Sequence, residues 1–213
     1  MNKNPHSGLF ITFEGPEGSG KTSQLKLAVP WLEGHGVPLV ITREPGGTPI
    51  GEEIRKLLHD TRRTDMAREA EILLYSASRA QHVAEIILPA LQAGKVVLCD
   101  RFYDSTYAYQ GYGRGLSMDA LQMITKFATQ NLTPDLTLYL DISPEIGIQR
   151  RERGGEVLNR LDREPLEFHH RVRKGYLALI EANPDRWCII DASGTPEEVH
   201  HAIKRVLKQA LAF

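Results

Sequence analysis

An α/β fold is predicted, with five parallel strands in one sheet and helices on both of its faces. Three observations lead there. Short apolar runs alternate with longer segments of helical period along the chain. The runs are continuously apolar instead of alternating, as strands covered on both faces are. At 213 residues, 41% hydrophobic and 25% charged, the chain is long enough to bury roughly 70% of its unfolded surface in a single domain spanning 1–213.

The expected strands are Leu9–Glu14, Val37–Thr42, Val96–Asp100, Leu136–Asp141 and Trp187–Asp191. Between the first two, Leu25, Ala28, Val29 and Leu32 repeat at helical spacing, and Gly34 and Gly36 supply a stop. Pro30 interrupts that pattern, so a kink or an early end is expected there. Ala67–Ala93 reads as one long helix, bent at Pro89 and ended by Gly94. A helical stretch follows the third strand to about Gln130, before a break at Asn131-Leu-Thr-Pro134. Phe168, Val172, Tyr176 and Leu179 form a stripe on Glu164–Glu181, as do Val199, Ile203, Val206, Leu207 and Ala210 on the last helix.

A net charge of −1 argues against a nucleic-acid surface. Cys99 and Cys188 both lie in apolar runs, which makes them buried strand thiols in a reducing compartment rather than a disulfide. The N-terminal MNKNPHSG has no apolar core of signal length, and no run is long enough to span a membrane, so the expected location is the cytoplasm.

The residues GPEGSGKT, at Gly15, Pro16, Glu17, Gly18, Ser19, Gly20, Lys21 and Thr22, match G-x-x-x-x-G-K-[ST] between a strand and a helix. In such a loop, backbone N–H groups converge on phosphate oxygens and the helix presents its positive N-terminus. Lys21 would reach the β/γ-phosphates, and the Thr22 hydroxyl would hold Mg²⁺. The plainer reading is a glycine-rich turn.

Open α/β sheets bind ligands at the C-terminal ends of their strands. There stand Arg43 in TREPGGT, Asp100 and Arg101 in DRFYDST, Asp141 and Asp191. Arg43 and Arg101 converging with Lys21 would take more than one phosphate group. Asp100 fits either a Mg²⁺-water ligand or a structural hydrogen bond to Thr22 or the loop. Tyr75 and Arg79, four apart on the long helix, share a face that would sandwich a planar base or make an ordinary surface contact. The arginine-rich 149–163 segment, QRRERGGEVLNRLDR, has too few apolar residues to enter a core. It reads as a mobile lid or as a solvated helix end with a turn.

In order and spacing, FEGPEGSGKTSQ, TREPGGT, YSASRAQHV, DRFYDSTYAYQG, PDLTLYLD, the arginine-rich stretch and DASGTPEEV resemble the thymidylate kinase family over nearly the whole chain. The resemblance implies the P-loop nucleoside-monophosphate kinase fold, transfer of the γ-phosphoryl of ATP to dTMP with Mg²⁺ for dTTP synthesis, and a homodimer. It implies that Gly15–Thr22 binds ATP and that Glu17 lies near the acceptor's 3′-hydroxyl. Arg43 and Arg101 would hold the acceptor phosphate, Tyr75 stack on thymine and Arg79 bond to O4. Thr106, Tyr109 and Gln110 would complete that pocket, with DASGTP close to adenine. The acidic Glu17 and the lack of arginine within the loop resemble the bacterial subtype whose catalytic cation comes from the lid, here Arg150, Arg151 or Arg153. Asn159 stands where the family usually has Asp before arginine, and Phe102 where Tyr or His is more common.

Two other readings compete: a kinase for another small acceptor, and a nucleotide-dependent switch. A switch would need a guanine-reading N-K-x-D motif, which the sequence lacks.

Overall fold

A computed structural model describes residues 6–154 and 159–212. Its five strands are β1 (Leu9–Glu14), β2 (Leu39–Arg43), β3 (Val96–Asp100), β4 (Leu136–Asp141) and β5 (Trp187–Asp191), all parallel in the order β2-β3-β1-β4-β5. Four strands start and end where the sequence places them. β2 begins two residues late, because the Val37 N–H is spent on the Leu32 carbonyl at the preceding helix stop and Pro38 has no N–H to offer.

Alternate residues of each strand feed opposite faces. On one face Ile11, Phe13, Leu98, Leu138 and Leu140 pack with Leu25, Ala28 and Leu32 of α1 (Lys21–Glu33) and Val199, Ile203 and Leu207 of α9 (Pro196–Leu211). On the other, Phe10, Val97 and Cys99 meet Val83, Ile87 and Leu91, while Tyr139 meets Phe168, Val172 and Tyr176 of α8 (Leu166–Ala182). Ala210 does not join this core and is exposed, and Cys188 is only half-buried.

Helix α1 runs three residues past Pro30 instead of ending early. Pro30 is exposed, so water can satisfy the carbonyl it leaves unbonded. Burying Leu25, Ala28 and Leu32 at on the order of 1–3 kcal/mol each outweighs the roughly 3 kcal/mol cost of the proline. The long helix is continuous but composite: α3 (Arg68–His82), a π turn (Val83–Ile87) and α4 (Leu88–Gln92). The wide turn, closed by Leu88 N–H on the Val83 carbonyl, accommodates Pro89 without a break. The expected single stretch after β3 is divided. α5 (Tyr103–Thr106) and a π segment (Tyr107–Gly113) end near Gly115, at φ 77°, and α6 (Met118–Thr129) restarts on a Ser117 cap.

The strand register sets Phe13 level with Asp100, and Arg43 level with Asp100, so β1, β2 and β3 deliver their polar ends side by side. The chain adds β2 and β3 on one side of β1 and β4 and β5 on the other. The end of β1 therefore lies at the switch of winding direction, where open sheets hold ligands.

Candidate active site

A cavity of about 920 Å³ opens at that switch and is lined by the Glu17–Thr22 part of the glycine-rich loop. Gly20, at φ 87°, leads into α1, and no side chain caps the first helical turn, which leaves its amides facing the cavity mouth. Lys21 is buried, with Nζ on the carbonyls of Gly15 and Pro16 (3.0 and 2.8 Å) and on Ser19 Oγ (3.1 Å). Burial, followed by the neighbouring Arg101, pushes its pKa down to about 8. The side chain thus crosslinks the loop instead of projecting from it.

Arg101 sits at φ 69° and gathers the loop to the opposite wall. Its Nη1 donates to the Gly15 carbonyl, Ser105 Oγ and Tyr176 OH, and its Nη2 donates to Glu17 Oε1 (2.8 Å) and Tyr109 OH. Glu17 is partly buried, which raises its pKa. Arg101 first and Lys21 next outweigh that and hold it at about 2. Behind Arg101, the fully buried Glu14 accepts from Phe102 N–H, Ser105 Oγ and Tyr176 OH at 2.6–2.8 Å. Burial and then Asp104 raise its pKa to about 7. Sequence reasoning placed Glu14 at a strand end and Tyr176 in a core stripe, and gave neither a part in this network.

Thr22 Oγ1 donates to Asp100 Oδ2 at 2.6 Å, the structural alternative considered for Asp100. The same pair fits a hydrated Mg²⁺. It offers one hydroxyl and one carboxylate at the loop, and leaves the other positions to phosphate oxygens and water. Among the described residues no group of three or more acidic, His or Cys side chains could hold a metal by itself.

Tyr75, Arg79, Thr106, Tyr109 and Gln110 all line the cavity. Arg79 is almost fully buried, its Nε donates to Glu44 Oε2 at 2.7 Å, and its Nη1 is buried with no partner. Gln110 donates to Glu71 Oε1 at 2.8 Å. Arg43 lies at the cavity edge, half exposed, with Nη2 on both oxygens of Glu52 at 2.8 Å. Asp141 and Asp191 do not take part. Asp141 pairs with Arg173 and Asp191 accepts from Ser193 N–H. Two lining residues on α2 (Pro49–His59) were missed, Arg55 and His59; their i, i+4 spacing was the available signal. Burial and then Arg55 depress the His59 pKa to about 4.

The arginine-rich segment divides. Arg150, Arg151 and Arg153 lie on α7 (Pro144–Arg153), while 155–158 fall outside the described residues. Arg150 donates to the carbonyls of Ala192, Ser193 and Gly194, the stretch expected near adenine. Arg151 lines the cavity, donates to Asp162 Oδ2 at 2.6 Å and helps lower the Glu17 pKa. Arg153 is exposed and outside the cavity lining. Contrary to expectation, part of this segment does enter a core: Leu161 is buried beside Tyr109 and Phe168. Arg160 pairs with Glu71, while Asn159 Oδ1 accepts from Leu161 and Asp162 N–H and Asn159 N–H donates to Asp162 Oδ2, so an amide and a carboxylate close this turn together. α7 rests on the loop itself, where a Cβ at Gly18 would collide with the Gly147 backbone and one at Gly147 with the Glu17 carbonyl.

The geometry is thus one cavity lined by a glycine-rich loop, by arginines and by the almost fully buried Arg79, and known proteins can be set beside it. The family model described as thymidylate kinase matches residues 13–203. A thymidylate kinase of Roseiflexus sp. (strain RS-1) is 47% identical over 96% of this chain and 95% of its own length. One of Pelotomaculum thermopropionicum is 50% identical over 96% and 94%. The crystal structure of a thymidylate kinase from Ehrlichia chaffeensis superposes with a TM-score of 0.77 at 35% identity, over 94% of this chain and 98% of that one. With the sheet order, the loop and a match over nearly its full length in agreement, this chain belongs to the thymidylate kinase family.

Proposed function

We propose a residue-by-residue assignment for the reaction of this family, ATP-dependent phosphorylation of dTMP to dTDP. The observation that carries it is the almost fully buried Arg79 guanidinium, which lines the cavity that begins at the phosphate loop, spends Nε on Glu44 and leaves its Nη edge without a partner. A guanidinium only donates, so this edge suits the O4 carbonyl of thymine and opposes the amino group of cytosine. Tyr75 supplies the stacking surface, and Thr106, Tyr109 and Gln110 the rest of the acceptor pocket.

The Gly15–Thr22 amides and Lys21 bind the donor phosphates, and Lys21 exchanges its loop carbonyls for phosphate oxygens as they arrive. Arg101 and Arg43 take the acceptor phosphate, while Glu17, displaced from Arg101, turns to the sugar hydroxyl. Thr22 and Asp100 would hold Mg²⁺, which when bound offsets charge on the β- and γ-phosphoryl oxygens. The remaining work is positioning and charge matching, and no general base is needed. The 149–163 segment is assigned as a lid that excludes water and brings Arg151 to the transferring group, as in the bacterial subtype. Arg150 orients the adenine end. The free thiols of Cys99 and Cys188 suit the cytoplasm, and no helix among the described residues is long and apolar enough to cross a membrane.

A homodimer is proposed on an apolar face that runs over three adjacent helices. Ile50 and Leu57 on α2, Leu73 on α3, and Met123 and Phe127 on α6 are exposed, Phe127 by 88%. Sedimentation at twice 23.9 kDa is expected, reduced to one chain by Phe127→Asp with Met123→Asp.

Coupled turnover with ATP and dTMP, dUMP, dCMP, AMP or shikimate tests the function. dTMP is expected to exceed dCMP by about a hundredfold or more in kcat/KM. Equal turnover of dCMP, or none of dTMP, would overturn the assignment.

A further inference from the structure

Arg79 discriminates between bases only if it cannot turn away from the wrong one. A donor that swings aside avoids being left unpaired, and the selectivity goes with it. What holds Arg79 is therefore part of the recognition. Its Nε donates to Glu44 Oε2 at 2.7 Å, with the two side chains 2% and 3% exposed. Its guanidinium lies over the Phe102 ring at 5.6 Å. Glu44 is held in turn: its Oε1 is 3.0 Å from His82 Nδ1, and His82 Nε2 is 2.6 Å from Thr42 Oγ1. With the ring proton on Nδ1, His82 donates to the carboxylate and accepts from the threonine hydroxyl, so each polar atom of the relay is used. Gly47 closes on the imidazole from the REPGG turn, where a Cβ would lie 2.7 Å from Thr42 Oγ1 and 2.9 Å from His82 Cδ2. Glu44 N–H is fixed as well, on the Asp100 carbonyl at 3.0 Å.

We propose that Glu44 is a positioning residue for acceptor-base selection, and that His82 and Thr42 tie it to strand β2. The carboxylate takes the Nε side of the guanidinium and leaves its Nη side for the base. This rests on the reading of Arg79 as donor to the base carbonyl. Because Glu44 follows Arg43 directly, one short segment orients both the base-reading arginine and an arginine assigned to the acceptor phosphate.

Glu44→Asp tests it, because it withdraws the carboxylate by one methylene and keeps a negative charge beside the buried Arg79. The dTMP/dCMP ratio of kcat/KM should fall about tenfold or more, mainly through KM for dTMP, with KM for ATP near that of the parent. A folded Glu44→Asp that keeps the parent ratio overturns the proposal, provided that Arg79→Ala, assayed in parallel, loses it. If Arg79→Ala also keeps the ratio, the base-reading role itself has failed. A measurement on the unaltered protein needs no variant to fold. By nitrogen-detected NMR the Arg79 Nε–H should exchange slowly with solvent, with and without dTMP, while the Nη resonances shift with dTMP and not with dCMP. Exchange of Nε–H at the rate of an exposed guanidinium overturns the proposal independently.

Discussion

Arg101 and Glu17 form the ion pair at the centre of the cavity, 2.8 Å apart and with side chains only 15% and 16% exposed. The Tyr109 hydroxyl contacts both. The pair joins the phosphate loop to the end of β3, 84 residues away in sequence. It also balances charge in the cavity without substrate, so on the proposed assignment an incoming phosphate would compete with Glu17 for the guanidinium instead of meeting an isolated cation.

The first prediction concerns that competition. Arg101→Lys keeps the charge but replaces a planar fork by a point charge with three donors, and Arg101 makes five contacts at 3.2 Å or less. kcat/KM for dTMP should drop by about a hundredfold or more, and Tm should fall as well. A lysine variant within tenfold of the parent would show that charge alone suffices there.

Lys21 gives the second. Its pKa near 8 in the substrate-free protein means that the ammonium loses its proton above that pH unless phosphate is present. kcat/KM for ATP reports the free enzyme and should decline above about pH 8. kcat, which reports the complex with phosphates against the ammonium, should stay level to higher pH. A kcat/KM profile flat to about pH 9.5 would contradict this.

Glu14 gives the third, on stability. Burial and Asp104 raise its pKa from 4.5 to about 7, so between those values the folded protein binds a proton that the unfolded chain has released. This contribution is fully present below 4.5 and is lost as pH rises through 7, on the order of 3 kcal/mol. Glu14→Gln keeps an acceptor for Phe102 N–H and removes the titration. Urea unfolding at pH 4.5 and 7.5 should therefore show the parent losing stability relative to the variant, and equal changes would rule out this role.

Much of this was legible in the sequence because it is local. Strand ends, the glycine-rich loop and the Tyr75/Arg79 face all follow from spacing within a few residues. The illegible part is long-range pairing of single polar residues. Glu14 meets Tyr176 across 162 positions, Arg186 meets Asp104 across 82, and Glu71 collects Gln110 and Arg114 from one segment and Arg160 from another. Nothing near Glu71 or Asp104 in sequence marks either as a hub; only the fold supplies the partners. Leu161 was misread for the same reason, since one apolar residue in a charged stretch has no periodicity to reveal it.

The last prediction separates the three arginines of α7, which composition alone left equivalent. Arg153 is exposed and outside the cavity lining, so Arg153→Ala should stay within a few-fold of the parent. Arg150 holds three carbonyls of the 192–194 loop, so Arg150→Ala should loosen the adenine end and raise KM for ATP more than it lowers kcat. Arg151 is close enough to depress the Glu17 pKa and is tied to Asp162 in the turn that also carries Arg160. If it meets the transferring phosphoryl group only when the segment closes, Arg151→Ala should lower kcat by about 10³ with dTMP affinity little changed. Single-turnover measurements with saturating ATP and dTMP would read the chemical step free of product release. A normal rate in Arg151→Ala would remove the lid arginine from the mechanism, unless Arg150→Ala with Arg151→Ala abolishes turnover that neither abolishes alone. In that case the two neighbours share the role.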